Sequence, residues 1–294
     1  MSKDGLFSEI SLDMIPASEP PALRSDTVNL SSTAILSHRL DFARDAANHA
    51  AEFILSYYQS PELAVERKRD RSPVTAADRG AEELIRKLIA EHWPDDGVLG
   101  EELGETPGRS GWRWILDPVD GTKSFIHGVP LFGTLIGLEL DSQPVLGLCS
   151  LPALNEVVYG ALGLGAWWQI GQREPRRARV SDVSDLSEAV FCTTTIQGWS
   201  RVGRQAAFER FCQTCSISRG WGDCYGHILV ATGRVDLMVD PLLNPWDCAA
   251  LVPILAEAGG HFVDLNGVST IHSGHGMSVN GKLKDAALAL LRDQ

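Results

Sequence analysis

At 294 residues, 44% hydrophobic and 22% charged, the chain is long enough to bury a sizeable core, as one large domain or as two closely packed lobes. Its formal net charge of -12 argues against a nucleic-acid partner, whose phosphates demand clustered Lys and Arg, and no apolar run approaches the ~20 residues of a membrane-spanning helix. The six cysteines are irregularly spaced, and Cys212-x-x-Cys215 has neither a second pair nor a histidine at zinc-finger distance, so reduced thiols in a cytoplasmic protein are expected.

Residues 1–32 mix Pro, Ser, Asp and Glu with scattered apolar residues and hold no period, which predicts a flexible arm. Asp4, Glu9 and Asp13 stand where a secretory peptide needs an unbroken apolar core, and the same acids disfavour a transit peptide. Leu36, Leu40, Ala43, Ala47, Ala50, Ile54 and Tyr57 recur at spacings of three and four, predicting a helix over 36–58 with one buried face, and Pro61 lies just beyond. In Arg71-Ser72-Pro73-Val74-Thr75-Ala76-Ala77-Asp78, Thr75 and Asp78 have capping-box spacing, and Ala81, Leu84, Ile85, Leu88 and Ile89 carry the helix to about residue 92. Asp78 thereby has a structural explanation as a first-turn acid. Trp93 to Gly97 is turn chemistry. Val98-Leu99-Gly100 leads into Glu101-Glu102, and Leu103 to Gly111 reads as a mobile loop.

The apolar run Trp114 to Leu116 predicts a buried strand that ends on Asp117, turns at Pro118 and offers Asp120 before Gly121-Thr122. Two carboxylates so close raise each other's pKa unless a cation lies between them. An oxygen-only site suits Mg²⁺ better than Zn²⁺. If Gly121 and Thr122 open a helix, their amides form an anion cradle beside the metal. The plain alternative is an ordinary Asp-Pro-Val-Asp-Gly turn.

Apolar segments at Leu131 to Leu140, Val145 to Leu151, Val157 to Leu162 and Ala166 to Ile170 follow, with breaks too short for helical crossovers. They predict an antiparallel sheet covered on one face by the two helices. Arg173 to Arg179 is a solvated basic loop. Beyond it the rhythm changes: a strand at Ala189 to Thr195, a helix near Val202 to Cys212, a short apolar piece at Ile217, a helix from about Tyr225 to Ala231 and a strand at Val235 to Val239. A helix from Trp246 to Ala258 bent at Pro253, a strand at His261 to Leu265 and a final helix from Lys282 to Leu291 complete the chain. Such alternation indicates a second sheet of mixed or parallel pairing. Residues 33–185 and 186–294 are the expected lobes. Asp247, following Asn244-Pro245-Trp246, reads first as a helix-start acid.

Three motifs occur in order: Gly100-Glu101-Glu102, Asp117 to Thr122, and Trp246-Asp247-Cys248-Ala249-Ala250. In them the chain resembles the inositol-monophosphatase-like family of Mg²⁺-dependent, lithium-sensitive phosphatases, over about residues 35 to 292. The resemblance implies an α+β fold, a layered α/β/α/β/α sandwich, and a homodimer. It also implies that Glu101, Asp117 and the carbonyl of Val119 hold one ion while Asp117, Asp120 and Asp247 hold a second, with Glu102 in support. Asp78 would help hold a third ion or the attacking water, which Thr122 and Glu101 orient. Asp120 and the amides of Gly121 and Thr122 would meet the phosphate of a small ester attacked in line.

Within the family, Gly121 to Pro130 and Arg219 to His227 look most like the histidinol-phosphate phosphatases. An ammonium and an imidazole would then favour an acidic pocket. Asp223 and Asp240 are the candidate contacts and Trp221 a candidate wall, although Asp223 could equally begin a helix and Asp240-Pro241 form a turn. The competing expectations are an inositol monophosphatase, a nucleotide or sugar bisphosphate phosphatase, and a non-catalytic metal or phosphate sensor.

Overall fold

A computed structural model describes residues 30–61, 63–67 and 73–292. The expected arm, residues 1–32, lies outside the described residues as far as residue 29, as do Arg71 and Ser72. Helix α1 (Leu30–Tyr57) opens the described chain and buries Leu36, Leu40, Ala43, Ala47, Ala50 and Ile54, the face its spacing demands. Strands β1 (Val65–Arg67) and β2 (Pro73–Thr75) pair antiparallel. Helix α2 (Ala76–His92) starts at the expected capping box: Thr75 Oγ1 accepts from the Ala77 amide at 3.1 Å and Asp78 Oδ2 from the Thr75 amide at 2.8 Å.

Next come β3 (Gly97–Gly100), β4 (Gly104–Thr106), β5 (Trp112–Asp120), the short α3 (Thr122–Ile126), β6 (Gly133–Leu140), β7 (Gln143–Leu151), β8 (Glu156–Ala161), β9 (Gly165–Ile170) and β10 (Arg176–Arg177). Among the described residues they form an eight-stranded sheet ordered β10-β9-β8-β7-β6-β5-β3-β4. Every neighbouring pair is antiparallel except β3 and β5, because the return from β3 runs through β4 at the edge rather than through a tight hairpin. Two local expectations are corrected. Residues 103–111 include strand β4. Strand β5 does not turn at Pro118 but runs on to Asp120 with a register shift between Asp117 and Asp120; Thr134 Oγ1 donates to the Pro118 carbonyl at 2.8 Å, satisfying a backbone acceptor where the ladder is interrupted.

The second half contains β11 (Val190–Cys192), α4 (Ile196–Arg201), α5 (Gln205–Thr214), β12 (Ile217–Arg219), α6 (Asp223–Ala231), β13 (Leu237–Asp240), α7 (Pro245–Cys248), α8 (Leu251–Glu257), β14 (Gly260–Val263), β15 (Gly276–Asn280) and α9 (Lys284–Leu291). A five-stranded sheet ordered β12-β11-β13-β15-β14 results. It is mixed: β11 is parallel to β12 and β13, while β15 is antiparallel to β13 and β14. The helix expected over Trp246 to Ala258 is divided into α7 and α8. Pro253 has no N–H for the carbonyl four residues back, at Ala249, and the division falls at Ala249–Ala250, where the backbone stays right-handed.

The layers alternate. Trp114 and Leu116 of β5, with Leu138 and Leu148, face α1 and α2, whereas Ile115 between them points to the other side, onto a core with Ile228, Leu251, Ile254 and Leu255 of α6 and α8. Beyond the second sheet, Phe191, Leu237 and Val239 pack against Trp199, Phe211 and Leu291 of α4, α5 and α9. The result is the expected α/β/α/β/α sandwich. Contact in the middle layer is close: a Cβ on Gly147 would lie 1.9 Å from the Ala250 carbonyl oxygen, so the α7–α8 backbone rests directly on the first sheet. That approach carries Asp247 to the end of β5.

Candidate active site

Three carboxylates meet where β5 ends and α7 begins. One oxygen each from Asp117, Asp120 and Asp247 lies within 4.8 Å of the others. The two β5 acids converge because the irregular register between them offsets the alternation of side chains along a strand. Asp247 keeps its helix-start role as well, accepting from the Asn244 amide at 2.6 Å. Ligand and cap are therefore compatible uses of one side chain.

The cluster is electrostatically costly. Burial, then the charges of Glu101, Asp120 and Asp247, hold the Asp117 carboxyl well above the ordinary carboxylate range. Burial and the Asp247 charge push Asp120 up to about 7, against the pull of the Cys224 amide. Burial likewise pushes Asp247 up to about 7, with the Asn244 amide opposing. Buried like charges of this density call for a cation, and an all-carboxylate donor set fits a hard divalent ion such as Mg²⁺.

Glu101 reaches the cluster from β3. Its amide donates to the Leu116 carbonyl at 3.1 Å, and its charge is among the groups raising Asp117. The turn that presents it is held from α2: the fully buried Glu82 accepts from the Glu102 amide at 2.8 Å, the Leu103 amide at 3.2 Å and Arg86 Nε at 2.8 Å. One helical turn earlier, Asp78 gives Oδ2 to the cap and turns Oδ1 toward Thr122 Oγ1 at 3.4 Å. Thr122 Oγ1 also lies 3.2 Å from the Val119 carbonyl. One hydroxyl proton thus has two acceptors, and its oxygen lone pairs are left to receive a proton from another group. Burial raises the Asp78 carboxyl, with Thr75 pulling it back.

Gly121 caps α3 in the left-handed region at φ +82°. A side chain there would also crowd the Leu131 carbonyl at 3.0 Å and Asp223 Oδ2 at 3.2 Å, so the position suits glycine. A cavity of about 190 Å³ opens beside the cluster and is lined by Asp120, Lys123, Asp223, His227, Asp240 and Asp247 among others. Asp223 and Asp240, expected as substrate contacts, both reach it. Trp221, expected as a wall, does not: it is absent from the lining and 40% exposed. The chain turns at Gly222, which presses onto Thr194, and the indole on the preceding residue is left in solvent.

Sequence reasoning overlooked two groups here. The Cys224 amide, at the start of α6, donates to Asp120 Oδ2 and ties the end of β5 to α6 at the site. A backbone contact leaves no mark in side-chain chemistry, although a glycine before a helical run hinted at an open helix start. His227 lines the cavity from the next turn of α6.

A five-layer sandwich with a carboxylate cluster at the end of a central strand, beside a helix start, defines a class of phosphatases that act on small phosphate esters. The chain belongs to the inositol monophosphatase family, whose profile matches residues 35–294. Among curated relatives, the histidinol-phosphatase of Chlorobaculum parvum is 42% identical over 81% of this chain and 90% of its own length. That of Mycobacterium tuberculosis is 38% identical over 83% and 94%. Among solved structures, an inositol monophosphatase from Zymomonas mobilis superposes with a TM-score of 0.76 at 32% identity, covering 87% of this chain and 98% of that one. The protein is a phosphatase. No helix among the described residues is long and apolar enough to cross a membrane.

Proposed function

We propose that the chain hydrolyses L-histidinol phosphate to L-histidinol and phosphate with Mg²⁺. The observation that carries the substrate reading is Asp223, an acid beside the phosphate end of the cavity. Burial, then Asp120 and Asp240, hold its carboxyl well above the usual range while only the Lys123 charge opposes, so a cationic substrate group placed there would relieve a standing cost. Relatives named for this activity, at 38% and 42% identity, support it.

Asp117, Asp120 and Asp247, with Glu101 and the Val119 carbonyl, would hold two or three Mg²⁺ ions, which supply Lewis-acid charge neutralisation and lower the pKa of water. Glu101 and Thr122 orient the attacking water. Thr122 does so with its lone pairs, since its proton is directed to Asp78 or the Val119 carbonyl. The amides of Gly121 and Thr122 meet the phosphoryl oxygens, and attack in line with the leaving alkoxide leaves no side chain phosphorylated. Residues 33–185 contribute most of the ion-holding groups; residues 186–294 contribute Asp247 and the selecting acids. A cytoplasmic homodimer completes the proposal, and light scattering of the purified protein tests the dimer.

The likeness to the Zymomonas mobilis inositol monophosphatase favours the second reading, a phosphatase of inositol or of a sugar or nucleotide bisphosphate. Phosphate release from L-histidinol phosphate, inositol monophosphate, fructose bisphosphate and adenosine bisphosphate, each with Mg²⁺ or EDTA, separates the two. The proposal expects L-histidinol phosphate to have the highest kcat/KM and EDTA to abolish release. A higher kcat/KM for inositol monophosphate would replace the first reading with the second.

A further inference from the structure

Asp223 has a backbone that must be held. Its φ is +52°, a left-handed conformation that Asp tolerates better than most residues but that persists only where the surroundings impose it. Its amide donates to Thr194 Oγ1 at 2.8 Å. The residue before it is pressed onto the same threonine, since a Cβ on Gly222 would lie 2.4 Å from Thr194 Cα. Thr194 is in turn fixed by Asp240, to which it donates its amide at 2.8 Å and its hydroxyl at 2.6 Å.

Asp240 is 2% exposed and most of its carboxylate is engaged: besides Thr194 it accepts from Thr193 Oγ1 at 3.4 Å, which with the two Thr194 bonds fills three of a carboxylate's roughly four lone-pair sites. His227 Nε2 lies 3.5 Å from Asp240 without a hydrogen bond to it. His227 stands one turn along α6 from Asp223, and its Nδ1 lies 2.7 Å from Ser278 Oγ on β15. A continuous path of hydrogen bonds thus runs from Asp240 through Thr194 to the Asp223 amide at the start of α6. Both acids line the cavity, but no described residue donates a hydrogen bond to the Asp223 carboxylate.

We infer that Thr194 and Asp240 are positioning residues that hold the left-handed backbone of Asp223, and that the Asp223 carboxylate so held receives the cationic group of the substrate. This rests on the proposed function, in that it takes the ester to be cationic, and it gives Asp240 a supporting role. The ligand class at Asp223 is a primary ammonium or an imidazolium on a phosphomonoester.

The test is the ratio of kcat/KM for L-histidinol phosphate to that for inositol monophosphate, measured in Asp223→Asn, Thr194→Val, Thr194→Ser and the Asp223→Asn/Thr194→Val double variant. Asp223→Asn lowers the ratio roughly tenfold to a hundredfold, the range of a hydrogen bond to a charged group. Thr194→Val keeps the amide bond to Asp240 but has no hydroxyl to donate to Asp240 or to accept from the Asp223 amide, and lowers the ratio by a similar factor. Thr194→Ser restores most of it, and the double variant loses little more than either single one. A Thr194→Val enzyme that keeps the wild-type ratio, or loses both substrates equally, overturns the inference while leaving the proposed function standing. An unchanged ratio in Asp223→Asn overturns the inference and removes Asp223 as the ground for the substrate reading, while the comparison of the four esters decides the substrate itself. Should Thr194→Val fail to fold, Thr194→Ala is read the same way: a lowered ratio supports the support role, and a wild-type ratio rejects it.

Discussion

Replacing Asp120 with Asn separates what this carboxylate does for the fold from what it does for the reaction. Asn keeps an oxygen to accept from the Cys224 amide, so the link between β5 and α6 survives. What disappears is a charge that burial and Asp247 push up to about 7 from an ordinary 3.8. Three pKa units correspond to roughly 4 kcal/mol at about 1.36 kcal/mol per unit. Asp117 and Asp247 share that relief and some of it is already lost to partial protonation, so a gain of about 1–3 kcal/mol in metal-free stability above pH 7 is expected, or roughly 3–8 °C in Tm. Activity moves the other way. In the proposed reaction Asp120 helps hold the ions, a role worth several kcal/mol of charge stabilisation, so hydrolysis is expected to fall by about a thousandfold or more. Thermal melts in EDTA and in Mg²⁺, run beside a phosphate-release assay, read both effects. A metal-free variant less stable than wild type, or one that retains more than about a tenth of wild-type turnover, would refute the reasoning.

The same electrostatics sets a pH dependence. With folded-state values near 7 for Asp120 and Asp247 against an ordinary 3.8, the folded metal-free protein binds more protons than the unfolded chain between these limits. Their contribution to stability is present below about pH 4 and is lost as pH rises through about 7. The Tm gain from Mg²⁺ should therefore be larger at about pH 8 than at about pH 5, and an equal gain at both would contradict it. Glu82→Gln presents only one acceptor oxygen to the two amides and the arginine that the carboxylate now serves; divalent-ion affinity, followed by calorimetry with Mn²⁺, should drop about tenfold. Arg39 lies buried 4.1 Å from the Trp93 ring and 4.2 Å from the Trp112 ring and pairs with buried Asp96. Arg39→Ala leaves that acid without its cation and should cost about 3–5 kcal/mol in urea unfolding, whereas a loss under about 1 kcal/mol would show the pair to be dispensable.

Local pattern revealed much of this protein. Spacing of apolar residues placed α1 and α2, Thr75 with Asp78 marked the start of α2, and short polar breaks predicted the hairpins from β6 to β9. The same reading missed β15, where Gly276-Met277-Ser278-Val279-Asn280 is buried throughout and so carries no alternation to detect. It ended β5 early, because Pro118 resembles a turn until Thr134 is seen to satisfy its carbonyl.

At the site the division is sharper. Glu101, Asp117 and Asp247, singled out by residue type and motif order because hard-ion chemistry needs carboxylates, are brought to one place by the fold. Which acid is already hydrogen-bonded could not be read in that way. Asp223 and Asp240 look alike in a string of letters and both line the cavity, yet Asp240 accepts from Thr193 and Thr194. Those partners follow β11 and meet the end of β13, which only the folded second sheet brings together. A side chain's identity determines which bonds it can make; its neighbours in space determine which of them remain free.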